Sequence, residues 1–539
     1  MLRCGMHNST TAGTYSAELE IYKKLNLQLK MENEELENKN HKLKIDVINY
    51  QNKYLAVKEE LDLLRYKQFM RSSEKFVPDE KQQLLFTEES ESVQEAVDDI
   101  EEKTEVKSYT RSKRGRKPID PSLRRETEII DLKEEEKTCS CGTELSKIGE
   151  EISEKLEFVP QQIYVKQIHR LKYVCRGCAL NGTEDDEQKV IHIAPVPPAM
   201  IPRSISTPSL LSAIFTHKFE DHIPYYRQEK QFERIGVDLS RQDMANWQQK
   251  AYGKLGPLYE LMEKMVKSGP VIQMDETTVQ VMGEEDRKDT QKSYMWLARG
   301  GPPGKTVVWY EYHTSRASEH ARRFLEGYSG YLQTDGYTGY DKAIEKMPDI
   351  IHVGCFAHAR RYFFDATKLS KNPLSAEEGI KHIRKLYLLE DKMRSKKLSD
   401  EEFVEERKKE AEPILEQFKS WLVKRSDDVL PSSKLGEAIH YSLSQWDKMV
   451  KYLESPYLTP DNNACENAIR PFVLGRKNWL FCKSPEGAKS SCGIYSLIET
   501  AKQNGIIPAH YLTALFEKAP LASSTEDWEK LLPWSIFTA

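Results

Sequence analysis

Three acids in this 539-residue chain stand where carboxylate chemistry is placed: Asp275, Asp335 and Glu466. Val271-Ile272-Gln273-Met274-Asp275 is a short apolar strand that runs into an acid, and Gly330 to Asp335 repeats the arrangement, with Gly336 supplying a turn. Glu466 lies inside a helix predicted to begin near Asp461 or Asn462, either of which serves as an N-cap. The acids are 60 and 131 residues apart. Three carboxylates converging on one end of a sheet hold divalent cations such as Mg²⁺ or Mn²⁺. Two such ions activate a nucleophile and stabilise a leaving oxygen in phosphoryl transfer. A strand-end Asp is more often a turn former or an ion-pair partner, and with 85 acids in the chain a trio can always be chosen.

The elements around these acids read as an α/β core. Thr277–Met282 continues the first strand, Lys292–Arg299 and Thr306–Tyr312 are further strands, Ser318–Tyr328 is helical, and Ile350–Cys355 is a fifth strand. The order predicts a central sheet covered by helices, with Asp275 and Asp335 on neighbouring strands. Ala366–Glu454 is charge-rich with helical spacing and reads as an insertion.

The amino-terminal half is modular. Tyr22, Leu29, Leu36, Leu43, Tyr50, Val57 and Leu64 recur every seven residues, the seam of a coiled coil that predicts at least a dimer; the alternative is a helix lying on the protein's own body. Between Glu88 and Glu105 lie nine acids and one Lys, a solvated linker. The sign then flips, and Lys107 to Lys117 carries six positive charges and no acid. Arg114 and Arg116 flank Gly115 and precede Lys117, a pattern suited to an electronegative minor groove or to phosphates. The competing reading is a basic linker balancing the acidic run.

Cys139 and Cys141, then 33 residues, then Cys175 and Cys178 supply four thiolates for a structural Zn²⁺, with strand expected at Ile163–Ile168 between them. The first pair has C-x-C spacing, and four free thiols is the alternative. After a Pro-rich stretch, helices are expected over Ser209–Glu220, Pro224–Ile235 ending at Gly236, and Ser240–Ala251. The last two form a helix-turn-helix pattern in which Arg241, Gln242, Asn246 and Gln248 reach bases or phosphates; an ordinary helical hairpin fits equally.

Lys+Arg is 80 against 85 acids, a net charge of −5, which does not exclude nucleic acid because clustering matters more than the sum. No apolar run reaches the ~18 residues a membrane span needs. Met1–Ala17 lacks the apolar segment of a secretory signal, so an intracellular protein without a membrane partner is expected.

The strings Gln273-Met274-Asp275-Glu276-Thr277-Thr278, Leu332-Gln333-Thr334-Asp335-Gly336-Tyr337 and Val353-Gly354-Cys355-Phe356-Ala357-His358-Ala359-Arg360-Arg361 closely resemble the insertion sequence 66 family of transposases. So do the block from Asp461 through Arg476 to Phe481 and Tyr495-Ser496-Leu497-Ile498-Glu499-Thr500-Ala501-Lys502. The resemblance implies a ribonuclease H-like catalytic core with a DDE triad and a helical insertion, preceded by a coiled coil, a zinc-ribbon-like module and a helical DNA-binding region. It matches Asp275, Asp335 and Glu466 to the triad, with Asp461 the rival for the third role, and places His358 and Arg361 in a motif after the fifth strand. Arg470, Arg476, Lys477, Lys483 and Lys489 form a basic tract beside Glu466, fit for DNA phosphates or simply a solvated face.

The domains expected are a coiled coil at 16–68, a charged linker at 69–120, the cysteine module at 121–192, a helix-turn-helix-like region at 193–265, the first part of the core at 266–365, the insertion at 366–455 and the last part of the core at 456–539. The implied reaction is metal-dependent DNA cleavage and strand transfer on bacterial cytoplasmic DNA. DNA ends, target DNA, a second copy and accessory proteins of the same element are the implied partners. The alternative is a catalytically inactive, sequence-specific DNA-binding regulator derived from a transposase.

Overall fold

The computed structural model describes residues 163–174, 191–369 and 374–537, with scattered positions between 23 and 47. The chain divides into two compact units, one comprising residues 1–90 and 198–539 and the other residues 91–197. Among the described residues, no helix is long and apolar enough to cross a membrane.

In the smaller unit, β1 (Lys172–Val174) pairs antiparallel with β2 (Ile191–Ile193). The Arg170 Nε donates to the Ala194 carbonyl at 2.7 Å beside this pair. The strand expected at Ile163–Ile168 is not formed. These residues pair with no other strand among the described residues, and Val165 is 87% exposed. A strand persists only where its backbone groups find partners, and here they do so nine residues later than the first expected position. Arg114, Arg116, Lys117 and the four module cysteines lie outside the described residues.

In the larger unit, residues 27–40 are helical, and Leu29, Leu36 and Leu43 of the expected seam are all exposed. The rest of the expected coiled coil is mostly outside the described residues. The three expected helices form as α1 (Pro208–Phe219), α2 (Tyr225–Arg234) and α3 (Arg241–Lys254), followed by α4 (Gly256–Val266). Thr207 caps α1 by accepting from the Leu210 N–H, and Ser240 caps α3 by accepting from the Asp243 N–H. Gly236 takes φ +79° after α2, a conformation open to residues without a Cβ.

The central sheet consists of β3 (Val271–Gln280), β4 (Lys292–Gly300), β5 (Val307–His313), β6 (Gly330–Gln333) and β7 (Ile350–Val353). Its spatial order is β5-β4-β3-β6-β7. The first three strands are antiparallel, while β6 and β7 run parallel to β3. α5 (Ser318–Leu325) connects β5 to β6, and α6 (Thr338–Ile344) connects β6 to β7. The edge strand β5 is protected by α13 (Pro485–Gln503), whose middle is almost wholly buried. The Ser496 and Thr500 hydroxyls accept from the Tyr310 and Val308 amides at 2.9 and 3.0 Å, so a helix side chain takes the place of a strand partner.

One apolar core runs from α1–α4 through the sheet to α13 and the following α14 (Pro508–Lys518). The helices expected as a separate DNA-binding region therefore share the sheet's core. A second core lies between α7 (Phe356–Leu369), α8 (Leu374–Arg394), α9 (Asp400–Asp428), α10 (Lys434–Ser444) and α11 (Trp446–Met449). It includes Phe356, Ala359 and Phe363, so the helical cluster begins ten residues before the expected boundary at 366, directly after β7. The chain returns to the sheet as α12 (Asn463–Trp479).

Candidate active site

Gln273 on β3 and Gln333 on β6 are register partners, and each precedes an acid by two residues. Successive side chains alternate across a strand, so Asp275 continues on the face Gln273 occupies. Asp335 lies just beyond β6, where its Oδ1 accepts from the Tyr337 N–H at 3.0 Å and closes the turn into α6. The Gln273 amide donates to Gln333 Oε1 at 2.8 Å, and the Gln333 amide donates to the Thr459 carbonyl at 2.7 Å. Arg299 on β4 donates to Gln273 Oε1 at 3.0 Å. This polar chain joins β4, β3, β6 and the segment leading into α12.

That segment is pinned twice more. The Asn462 Nδ2 donates to the Met274 carbonyl at 3.1 Å, and its backbone N–H donates to the Cys355 Sγ at 3.3 Å. The Phe356 N–H donates to the Pro460 carbonyl at 2.9 Å. Asp461 is 8% exposed, stands one residue before the N-cap Asn462, and accepts from the Asn463 backbone at 3.0 Å. Glu466 then comes one turn into α12.

Burial and the charges of Glu276, Glu466 and Asp335 hold the Asp275 carboxyl well above the usual carboxylate range. Asp275 thus lies within the field of both other expected acids. Glu466 Oε2 accepts from Arg361 Nη2 at 3.1 Å, and Glu466 Oε1 stands 3.6 Å from His358 Nδ1 without a hydrogen-bond partner. Burial lowers the His358 pKa, so the ring is neutral near pH 7. Cys355, His358 and Glu466 each bring one ligand atom within 4.8 Å of the others; Asp275 and Asp335 are not part of that trio. Burial pushes the Cys355 thiol far up, and sulfur is a soft donor ill suited to a hard cation. The oxygen donors are the set that fits a hard divalent cation. Asp275 gains relief from three neighbouring negative charges, and Glu466 has a free oxygen to offer.

Glu276, quoted in the motif but given no role from sequence, has hydrogen-bond partners of its own. It accepts from Arg316 and from the Tyr340 hydroxyl, with the Arg316 guanidinium 3.8 Å from the Tyr337 ring centre. Burial raises its carboxyl above the ordinary value despite those partners. The signal available in the sequence was the adjacent Asp275-Glu276 pair, which a strand must split between two faces.

The basic residues divide into two groups. Arg241 and Gln242 are exposed on the first turn of α3, and Gln242 donates to Asn246 at 3.0 Å. Gln248, expected to face DNA, is 2% exposed. Its Oε1 accepts from Tyr225 and Lys218, and its amide donates to Ser490 and Ser491 of α13. Arg476 likewise points inward, donating to the Thr277 and Thr278 hydroxyls of β3 at 3.2 and 3.1 Å. Arg470 is half-buried, while Lys477, Lys483 and Lys489 are exposed.

Comparisons with known proteins agree with this organisation. The family described as Transposase IS66 family matches residues 203–490, and the IS66 C-terminal element matches residues 496–534. The zinc-finger binding domain of transposase IS66 matches residues 136–179, a span that contains all four module cysteines. The family described as Transposase C of IS166 homeodomain matches residues 56–127, which include the Arg-Gly-Arg segment. Among curated proteins, the chain is 32% identical to uncharacterized protein y4hP of Sinorhizobium fredii (strain NBRC 101917 / NGR234) over 448 residues, 80% of this chain and 78% of that protein. It is 30% identical to uncharacterized protein y4jD of the same organism over 416 residues, 75% of this chain and 79% of that protein. With a match spanning more than half of its length, from the helices before the sheet to the helix that protects the sheet edge, the chain belongs to the IS66 transposase family.

Proposed function

We propose that this protein is a DDE transposase with a ribonuclease H-like core, in which Asp275, Asp335 and Glu466 hold divalent metal for DNA cleavage and strand transfer. The observation that carries the reading is the Gln273–Gln333 bond, which levels two acid-bearing strands and ties them to the segment that delivers Glu466. A sheet ordered β5-β4-β3-β6-β7 with three antiparallel and two parallel strands supports the core assignment.

Bound Mg²⁺ or Mn²⁺ supplies activation of the attacking oxygen and stabilisation of the leaving one. The chain's own residues do the positioning. Arg361 holds Glu466 by one oxygen and leaves the other open. A phosphate arriving beside Glu466 meets the same guanidinium, which is suited to phosphate oxygens. His358, neutral and 3.6 Å from Glu466, is placed to accept or return a proton at Nδ1. In this reading Arg114, Arg116, Lys117, Arg241, Gln242, Arg470, Lys477 and neighbouring lysines contact DNA. Cys139, Cys141, Cys175 and Cys178 hold a structural Zn²⁺, and the leucine seam pairs two copies so that two DNA ends are held together.

The test is nicking of labelled DNA from the flanks of the protein's own gene, with Mg²⁺ or Mn²⁺. Wild type is expected to release a 3′-hydroxyl end. Asp275→Asn is expected to bind the same DNA and release none. Equal nicking by both proteins removes Asp275 from the site.

A further inference from the structure

We propose that Leu480 and Phe481 form a wedge that inserts into a base step of duplex DNA, a reading that rests on the DNA-binding function proposed above. The Phe481 N–H donates to the Trp479 carbonyl at 2.9 Å, and Leu480 between them has φ 67° and ψ −53°. This is the γ-turn with positive φ and negative ψ, rare and strained for any residue with a side chain. Glycine would relieve the strain, yet a branched apolar residue occupies the tip. Leu480 is 65% exposed and Phe481 43%. Strain combined with exposed apolar surface points to a partner that uses the tip.

The turn is mounted firmly on both sides. The Leu480 N–H donates to the Arg476 carbonyl at 2.8 Å, closing α12. The Cys482 N–H donates to the Gln280 carbonyl at 2.9 Å, and the Met282 N–H donates to the Cys482 carbonyl at the same distance, fastening the exit to the tail of β3. Arg476 also clamps α12 to Thr277 and Thr278. The tip is therefore held against the strand that carries Asp275.

Charge selects the occupant. Lys477, Lys483 and Lys489 are exposed within nine residues of the tip along the chain, and Glu486 is the one acid from 477 to 489. Exposed lysines flanking two apolar side chains in the sequence suit a polyanion with an apolar interior, which duplex DNA presents between its base pairs. Leu480 lies fourteen residues beyond Glu466, about 21 Å along a helix. Duplex DNA lying along α12 would meet the wedge about six base pairs from the phosphate at Glu466, at ~3.4 Å per base pair.

The experiment uses the full chain and duplex DNA from the flanks of its own gene, carrying 2-aminopurine at successive positions. Wild type is expected to raise the fluorescence several-fold at one step. Leu480→Asn, which replaces the apolar branch by a polar side chain of similar size, and Phe481→Ser should abolish that rise. Because neither change removes a charge, the salt dependence of binding should stay as in wild type. Wild-type binding with no fluorescence rise at any position overturns the wedge but leaves DNA binding standing. Absence of binding by wild type overturns both. A loss of self-association in Leu480→Asn, with unstacking unchanged, would assign the tip to a protein contact and overturn the wedge.

Discussion

The Gln273 amide and the Gln333 carbonyl oxygen meet at 2.8 Å across two parallel strands, two residues before Asp275 and Asp335 respectively. Both side chains are buried, at 5% and 0% exposure, so the bond is made where an unpaired amide costs most. It joins the two strands that lead to the acids and passes, through Thr459, to the segment before the helix that carries Glu466.

Replacing Gln333 by Leu strips the Gln273 amide and the Thr459 carbonyl of their partners. The expected loss is about 1–3 kcal/mol for each buried group left unsatisfied, read by urea denaturation. Metal-dependent nicking should fall further than the lost stability accounts for, because the register of the two acids is no longer fixed. Unchanged stability and nicking would show that strand pairing alone positions the acids.

Arg407 on α9 is fully buried and serves the same return segment. It donates to the carbonyls of Tyr452, Ser455 and Leu458 at 2.8, 2.7 and 3.1 Å, and lies 3.4 Å from Glu390. Removing one partner of a buried ionic cluster typically costs about 3–5 kcal/mol. Arg407→Ala should destabilise the protein by that order in chemical denaturation. A loss below about 1 kcal/mol would show that packing alone holds the segment.

Asp341 on α6 accepts from His352 of β7 and from Lys448 of α11, each at 2.8 Å. The His352 hydrogen bond, followed by that of Lys448, pulls its carboxyl down to about 2 against the cost of burial. A lowered acid contributes stability above its unfolded pKa of ~3.9 and loses that contribution as pH falls toward the folded value. The side chain is 40% exposed, so water weakens the contribution to about 1 kcal/mol. Asp341→Asn should therefore be less stable than wild type at pH 7, and the gap should close between about pH 4 and 2. A gap independent of pH would assign the effect to shape alone.

Most of the elements that carry the candidate site were legible because their signals are local. An apolar run ending in Asp, with Gly one residue after Asp335, marks a strand end in the sequence itself. Ser240 marks a helix start in the same way, and both stand in the structure. The supporting shell was not legible. A Gln inside a strand has no local signature, since its meaning depends on a partner 60 residues away. Gln248 read as a surface residue because its partners Lys218, Tyr225, Ser490 and Ser491 all lie on other elements, the last two on α13 some 240 residues later. Arg476 read as part of a basic face, but its spacing along α12 turns it toward β3. The strand expected at Ile163–Ile168 followed alternation alone, whereas pairing begins at Lys172, where β2 supplies a partner.

The most direct test of the central claim is strand transfer of a pre-cut DNA end into a plasmid, with Mg²⁺ or Mn²⁺ and with Glu466→Gln in parallel. Joined product is expected from wild type and none from Glu466→Gln, with end binding retained in both. Joined product from Glu466→Gln would remove the third acid from the site. Specific end binding without joining by wild type, even with a pre-cut end, would contradict the transposase reading and favour a DNA-binding regulator.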